Sequence, residues 1–110
     1  MNIESLEIPD IKLISPSVFS DDRGYFMETF NQRLFDKKIK VTNFLQDNES
    51  SSSFGVLRGL HFQEPPYAQA KLMRVITGEV FDVVVDLRLN SKTFGKWCAL
   101  ELSSDLGIIT

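Results

Sequence analysis

Residues 79–88 alternate between two sets of side chains with the period of a β-strand. One set is Phe81, Val83, Val85 and Leu87, and the other is Asp82, Val84, Asp86 and Arg88. Because successive side chains of a strand point to opposite faces, the alternation predicts a strand over Glu79–Arg88. The preceding residues, Ala70–Thr77, predict a second strand, and Thr77-Gly78 predicts a hairpin turn between the two, since glycine adopts positive φ without strain. This pair restricts the chain to folds that contain antiparallel β-structure.

Strand-forming segments recur along the rest of the chain. Strands are predicted over Ile3–Ile8, Ile11–Ile14, Tyr25–Phe30, Val41–Ser50, Val56–Gln63 and Trp97–Leu102. Turn or loop residues separate them at Pro9-Asp10, Ser20–Gly24, Ser50–Ser53, Glu64–Pro66 and Asn90–Phe94. Many short strands at regular spacing are typical of an antiparallel sandwich or barrel. We therefore predict a mainly β, jelly-roll-like fold.

One short helix is predicted near residues 31–38. Asn31 is a favourable N-cap, and two lysines lie at the end that the helix dipole favours for cations. Leu34 and Phe35 fall on one side of the helix together with Ile39.

Length and composition limit the classes of protein. A chain of 110 residues predicts one domain, residues 1–110, and a net charge of −3 argues against a nucleic-acid-binding surface. The single cysteine, Cys98, excludes an internal disulfide and is typical of a reducing compartment. The sequence shows neither a long apolar run nor a secretory leader pattern, so we predict a cytoplasmic protein that does not enter a membrane.

The only histidine, His61, lies three residues after Arg58 and ten before Lys71. Histidine exchanges protons near neutrality, and two cations nearby can stabilise negative charge that develops when a proton moves. In a regular strand Arg58 and His61 would point to opposite faces, so Gly59 is predicted to form a bulge or to break the strand. The alternative is a structural histidine, with Lys71 extended into solvent and Arg58 on the surface.

Several motifs resemble those of the dTDP-4-dehydrorhamnose 3,5-epimerases. They lie at Phe19–Glu28, Gln46–Ser50, Val56–Gln63, Gln69–Leu72, Gly78–Val83, Asp86–Arg88 and Ser91–Trp97. The resemblance runs in order from residue 1 to about residue 103. It implies a cupin-like jelly roll, a homodimer that exchanges N-terminal strands, and epimerisation of a dTDP-linked 4-keto-6-deoxy sugar at C3 and C5 in dTDP-L-rhamnose biosynthesis.

The resemblance also implies roles for individual residues. His61 matches the base that removes the protons, and Lys71 and Arg58 match the residues that stabilise the oxygen on C4. The nucleotide-binding set consists of Phe19, Arg23, Phe26, Glu28, Gln46 and Asn48. Taken without the resemblance, the two phenylalanines fit a core equally well, and Arg23 fits an ion pair within a turn. One histidine and one cysteine do not suffice for a typical transition-metal site, so no metal and no other cofactor are predicted.

The sequence departs from the family pattern after Ser103-Ser104. Epimerases of this kind continue with strands that carry a second histidine, a tyrosine that acts as the acid, and an aspartate that orients the catalytic histidine. We therefore expect the N-terminal portion of such a jelly roll, incomplete at its C-terminus. The alternative functions are a non-catalytic module that binds nucleotide sugars and an inactive fragment.

Overall fold

The computed structural model describes residues 1–105 and 107–110. In chain order the elements are β1 (Asn2–Ser5), β2 (Lys12–Ser15), β3 (Val18–Asp21), β4 (Gly24–Met27), α1 (Gln32–Lys38), β5 (Met73–Arg74), β6 (Glu79–Val85), β7 (Trp97–Ser103) and β8 (Ile108–Ile109). Every strand pairing given for these residues is antiparallel. The prediction of a mainly β, antiparallel fold with one short helix is confirmed.

A four-stranded sheet with the order β1-β2-β8-β5 forms the centre of the fold. Strands β1 and β2 pair from Asn2 opposite Ser15, and the predicted turn at Pro9-Asp10 joins them. Strand β8 lies between β2 and β5, because Ile108 pairs with Ile14 on one side and with Arg74 on the other. No strand was predicted for these last residues.

Strands β3 and β4 form a separate hairpin. The turn predicted over Ser20–Gly24 is shorter than expected, since Ser20 and Asp21 belong to β3, for which no strand was predicted, and Gly24 begins β4 with a φ of +129°. The strand predicted to reach Phe30 ends at Met27, because α1 and its N-cap begin soon after. Phe19 lies directly opposite Phe26, so the two rings occupy the same face of the hairpin.

Strands β6 and β7 form the β6–β7 ribbon, paired from Glu79 opposite Ser103 to Val85 opposite Trp97. The predicted hairpin between Ala70–Thr77 and Glu79–Arg88 is wrong. Only Met73–Arg74 forms a strand in the first range, and it pairs with β8 instead of β6. The alternating pattern predicts a strand but not the strand with which it pairs. Strand β6 pairs with β7 over seven residues, whereas β5 has only two residues.

The position predicted for the helix and its N-cap at Asn31 are confirmed by α1. The Asn31 side chain accepts a hydrogen bond from the backbone N–H of Leu34 at 3.1 Å. Phe35 is buried, as its position on the apolar side of the helix requires. A bilayer-spanning helix is absent from the ranges that the structure describes.

The buried side chains form two clusters on the central sheet. The first contains Ile8, Ile11, Cys98, Leu102 and Ile109, and the second contains Ile14, Phe35 and Ile108. The two residues of β8 therefore belong to different clusters. The sheet packs against the β6–β7 ribbon on one face and against α1 on the other.

A polar cluster that we call the Asp86 clasp ends β6 and joins it to the turn between β1 and β2. The buried Asp86 carboxylate accepts hydrogen bonds from the Arg88 guanidinium at 2.9 Å and from the hydroxyls of Ser91 and Thr93 at 2.6 Å. Arg88 also pairs with Asp10 at 2.5 Å. Strand β6 ends at Val85 and not at the predicted Arg88.

Residues 40–72, which we call the open segment, contain neither helix nor strand. The strands predicted over Val41–Ser50 and Val56–Gln63 are therefore wrong for this structure. A strand requires a neighbour that takes its backbone N–H and C=O groups, and the described ranges supply no such neighbour here. The irregularity predicted at Gly59 is present, with a φ of +118°.

Candidate active site

The three candidates for proton transfer all lie in the open segment. Arg58, His61 and Lys71 are exposed to solvent. Arg58 donates from Nη2 to the carbonyl oxygen of Ser51 at 3.1 Å, which holds its side chain back along its own segment. Within residues 1–105 and 107–110, no hydrogen bond joins the three side chains to one another. Their convergence on one pocket stays a prediction.

Lys71 lies close enough to the β6–β7 ribbon for its charge to affect the pKa of Asp82. Burial raises the pKa of this half-buried carboxyl, whereas the backbone N–H of Val83 and the positive charge of Lys71 lower it. Asp82 is not among the site residues predicted from the sequence. The available signal was an aspartate on the same face of the alternating strand as Val84, which packs on the first core cluster.

Four of the predicted nucleotide-binding residues belong to the β3–β4 hairpin or follow it directly. Phe19 and Phe26 face each other across the two strands and are 66% and 70% exposed. By the period of two, Glu28 follows Phe26 on the same side. The two phenylalanines fitted either a core or a stacking surface from the sequence. In the described residues their rings lie outside the core. They form a flat apolar surface on which an aromatic base can stack.

Arg23 forms an ion pair with Asp21 in the turn of the hairpin. Its Nη2 lies 2.6 Å from Oδ2 of Asp21, and its backbone N–H donates to Oδ1 at 2.9 Å. These bonds lower the pKa of Asp21 and raise that of Arg23. Within the described ranges Nη1 of Arg23 donates to no residue. The guanidinium therefore keeps hydrogen-bond donors for a ligand beside the phenylalanine surface.

Gln46 and Asn48 are exposed in the open segment. Nε2 of Gln46 donates to Oδ1 of Asn48 at 3.2 Å, so the two side chains lie on the same side of the chain, as their spacing predicts. Among the described residues, no hydrogen bond connects Gln46 or Asn48 to the β3–β4 hairpin. Across the described residues, no three His, Cys, Asp or Glu side chains are grouped as metal ligands would be.

The opposite face of the β3–β4 hairpin lines a cavity of about 210 Å³. Val18, Tyr25 and Met27 contribute from the hairpin, and Arg74 contributes from β5. None of the predicted site residues lines this cavity. The phenylalanine face of the hairpin thus points away from this cavity, and Val18 and Tyr25 on the cavity face are also exposed.

Comparison with known sequences connects these residues to one family. A sequence model described as dTDP-4-dehydrorhamnose 3,5-epimerase matches residues 5–107, a range that contains every site residue predicted above. The chain belongs to the dTDP-4-dehydrorhamnose 3,5-epimerase family. The resemblance inferred from the motifs is confirmed.

Individual epimerases are similar over nearly all of this chain. The dTDP-4-dehydrorhamnose 3,5-epimerase of Shigella flexneri is 54% identical over 106 residues, which cover 96% of this chain and 59% of the relative. That of Methanothermobacter thermautotrophicus is 57% identical over 94 residues, covering 84% of this chain and 50% of the relative. The chain thus spans between half and three-fifths of the length of these curated relatives.

Solved epimerase structures have the same fold over this range. The enzyme from Elizabethkingia anophelis superposes with a TM-score of 0.93 at 46% identity, covering 100% of this chain and 62% of that chain. The dTDP-6-deoxy-D-glucose-3,5-epimerase from Legionella pneumophila, crystallised in complex with dTDP-4-keto-L-rhamnose, has a TM-score of 0.92 at 44% identity, covering 98% and 58%. The predicted cupin-like architecture of the epimerases is therefore the fold of this chain.

Proposed function

We propose that this chain acts as a dTDP-4-dehydrorhamnose 3,5-epimerase, epimerising a dTDP-linked 4-keto-6-deoxy sugar at C3 and C5 in the synthesis of dTDP-L-rhamnose. The observation that carries the proposal is the family match over residues 5–107, which includes Arg58, His61 and Lys71. The prediction of a single domain and of a cytoplasmic location belongs to the same proposal.

The proposed chemistry begins with removal of a proton from the carbon next to the ketone. The electron pair that remains is shared with the ketone oxygen, which becomes an enolate. His61 is the base, since imidazole accepts protons near neutrality. Lys71 and Arg58 supply positive charge to the enolate oxygen, the type of stabilisation that contributes most to such reactions. Because epimerisation leaves the oxidation state of the sugar unchanged, the proposal includes no redox cofactor.

The proposed nucleotide site is the phenylalanine face of the β3–β4 hairpin. Phe19 and Phe26 offer a stacking surface for the thymine base, and Arg23 lies beside them with hydrogen-bond donors for the diphosphate. Glu28, Gln46 and Asn48 complete the set. A related epimerase from Bacillus anthracis was crystallised with TDP and PPi bound, and the Legionella enzyme was crystallised with a dTDP-sugar.

A homodimer with exchanged N-terminal strands is part of the proposal. The supporting observation is the amount of apolar surface on the hairpin, where Val18 and Tyr25 are exposed in addition to the two phenylalanines. Exposed apolar patches that are larger than single side chains mark interaction surfaces. Sedimentation of the chain at several concentrations, with and without dTDP, tests the assembly.

Exchange of solvent deuterium into the sugar tests the catalytic proposal. In D2O the chain should place deuterium at C3 and C5 of dTDP-4-keto-6-deoxyglucose, and His61→Ala should reduce the rate by roughly 10²–10⁴-fold, the contribution of a positioned base. Lys71→Met should reduce it by about 10²–10³-fold, the effect of losing a donor to the enolate oxygen. Lys40→Met, an exposed lysine of the same segment, is the matched control.

The outcomes separate the two candidate functions. Exchange without inversion would support His61 as the base and assign the acid to a group outside the residues named here. Binding of dTDP without exchange at either carbon would favour the non-catalytic module instead. One observation favours that module: the β3–β4 hairpin is fully paired, whereas the open segment that carries His61 has no regular structure.

A further inference from the structure

Among the described residues, Asp82 has a buried carboxylate oxygen, Oδ2, that lacks a hydrogen-bond partner. Buried carboxylate oxygens in folded proteins are normally paired, because an unpaired one costs free energy that the fold must offset elsewhere. This orphaned oxygen requires an explanation.

The strand register places Asp82 on the side of β6 that faces the core. It lies opposite Leu100, and two residues further on Val84 lies opposite Cys98. Val84, Leu100 and Cys98 all belong to or pack against the first core cluster. Burial raises the pKa of the Cys98 thiol on β7, and the charges of Glu7 and then of Asp82 raise it further. The Oδ2 atom of Asp82 accepts no hydrogen bond from any of the described residues on this side of the ribbon.

Lys71 is the cation whose charge acts on this carboxylate, although within the described residues its exposed side chain forms no ion pair with Asp82. Val75, which follows it by four residues, packs against the same core cluster as Val84. Lys71 and Val75 are an even number of residues apart, so an extended chain directs both toward the ribbon. The lysine stem has four methylene groups, and its ammonium presents three rotatable donors. This stem gives the Lys71 ammonium a longer reach than a shorter donor on the segment would have.

We propose that Asp82 is the positioning residue for Lys71, accepting a hydrogen bond from the Lys71 ammonium at its buried Oδ2 and thereby directing that ammonium toward the ketone oxygen of the sugar. This inference rests on the proposed function for the role of Lys71. The pairing itself does not, because the orphaned oxygen and the position of Lys71 are properties of the chain alone.

The proposed hydrogen bond would attach Lys71 of the open segment to Asp82 of β6. Lys71 has three donors, so one bond to Asp82 leaves two for the substrate. A buried acceptor also limits the directions in which the flexible stem can point, and catalysis by a cation depends on that direction. The Asp82 carboxylate never contacts the reacting carbons in this arrangement.

Titration of the Asp82 carboxyl tests the pairing without any turnover. The carboxyl ¹³C resonance of Asp82, assigned with Asp82→Asn, should titrate above its ordinary value of 3.8 in the unaltered chain, because burial raises its pKa. In Lys71→Met the titration midpoint should move up by about one pH unit, since an opposite charge within reach stabilises the carboxylate. Lys40→Met should leave the midpoint unchanged. An unchanged midpoint in Lys71→Met overturns the inference.

Kinetics test the positioning role. Asp82→Asn should lower the rate of deuterium exchange at C3 and C5 by roughly tenfold or more at unchanged KM, the scale of one hydrogen bond between charged groups. Asp82→Glu, which keeps the carboxylate, should restore part of the rate. Glu79→Gln removes the same charge from the opposite face of β6 and should have no effect.

The two experiments distinguish failure of the proposed function from failure of the proposed pairing and positioning role. If the unaltered chain exchanges no deuterium but Lys71→Met still moves the Asp82 titration, the proposed function fails and the pairing stands. If exchange occurs and Asp82→Asn exchanges at the rate of the unaltered chain, the positioning role is overturned while the proposed function stands. Circular dichroism of each variant establishes that it is folded.

Discussion

The β6–β7 ribbon and the open segment hold their charged residues in opposite ways. At the end of the ribbon, the Asp86 carboxylate is buried and accepts from Arg88, Ser91 and Thr93. In the open segment, Arg58 has one hydrogen bond, to a backbone carbonyl of its own segment. The ribbon has a seven-residue ladder, whereas two backbone hydrogen bonds join residues of the open segment to one another.

This difference separates the scaffold from the residues that do chemistry. The buried clusters and the Asp86 clasp lie on paired strands, while Arg58, His61 and Lys71 lie on backbone with little pairing of its own. Functional residues often lie on loops that a rigid scaffold positions. Segments with few buried contacts also open at low cost in free energy. The contacts that tie the open segment to the scaffold therefore decide its geometry. They include the packing of Phe44 and Leu72 on the second core cluster and the hydrogen bonds between Thr42 and α1.

The largest effect is expected from the core beneath the ribbon. Leu102 is 1% exposed, so Leu102→Ala should lower the free energy of unfolding by about 2–5 kcal/mol. Leu57, in the open segment, is 92% exposed, and Leu57→Ala should change it by less than about 0.5 kcal/mol. Urea unfolding followed by circular dichroism measures both. Equal losses in the two variants would remove the distinction between scaffold and open segment.

The next effect concerns acid stability and the Asp86 clasp. In the folded chain the pKa of Asp86 lies well below its ordinary value of 3.8, first because the Arg88 guanidinium donates to it and then because two hydroxyls do. Such a carboxylate stabilises the folded state in full above its ordinary pKa and loses this contribution as the pH falls below it. Asp86→Asn should therefore be less stable near neutrality and lose less stability on acidification.

Urea midpoints measured from about pH 2 to pH 6 check this expectation. The matched control is Asp47→Asn, which removes an exposed carboxylate from the open segment and should keep the profile of the unaltered chain. If Asp86→Asn loses stability as steeply as the unaltered chain, the clasp is not the acid-sensitive element.

A smaller effect is expected where the open segment meets the scaffold. The Phe44 ring packs edge-on against Phe30 and Phe35, with centroids 5.7 and 5.3 Å away. Phe44→Leu should cost about 0.5–1.5 kcal/mol for each aromatic pair lost and raise hydrogen exchange in the open segment. Leu45→Ala, next in sequence and exposed, is the control. Unaltered exchange in Phe44→Leu would show that other contacts hold the segment.

The smallest effect on stability is expected at the β3–β4 hairpin. The Arg23–Asp21 pair is exposed, so Arg23→Ala should leave the urea midpoint unchanged. Calorimetry with dTDP should nevertheless show weaker binding, by about tenfold, because a charged hydrogen bond to the ligand is lost. Arg33→Ala, an exposed arginine of α1, should affect neither measurement. Unchanged dTDP affinity in Arg23→Ala would remove it from the nucleotide site.

Elements whose signals are local were predicted well. Helix α1 needed only Asn31 and the spacing of its apolar residues, and the structure places the cap where the pattern did. The same holds for β6 and for the turns at Pro9-Asp10 and Gly24. The motif resemblance also identified the family, because spaced functional residues persist in a sequence independently of which strands pair.

Strand partners and the burial of Asp82 were not predictable in this way. An alternation of period two indicates that a strand has two different faces. It does not indicate which neighbouring strand completes the backbone hydrogen bonds. Thus Met73–Arg74 pairs with β8 and not with β6, and the strands expected over Val41–Ser50 and Val56–Gln63 have no partner in the described ranges. Which face of β6 is buried was likewise decided by packing on the first core cluster.

The sequence alone therefore determined the class of fold, the position of the helix and the chemistry available to the chain, since each depends on residue type and short spacing. Only the tertiary structure decided which strands pair, that Phe19 and Phe26 lie outside the core, and that a carboxylate oxygen of Asp82 is buried without a partner. These properties depend on contacts between residues distant in sequence, and such contacts leave no periodic signal in the chain.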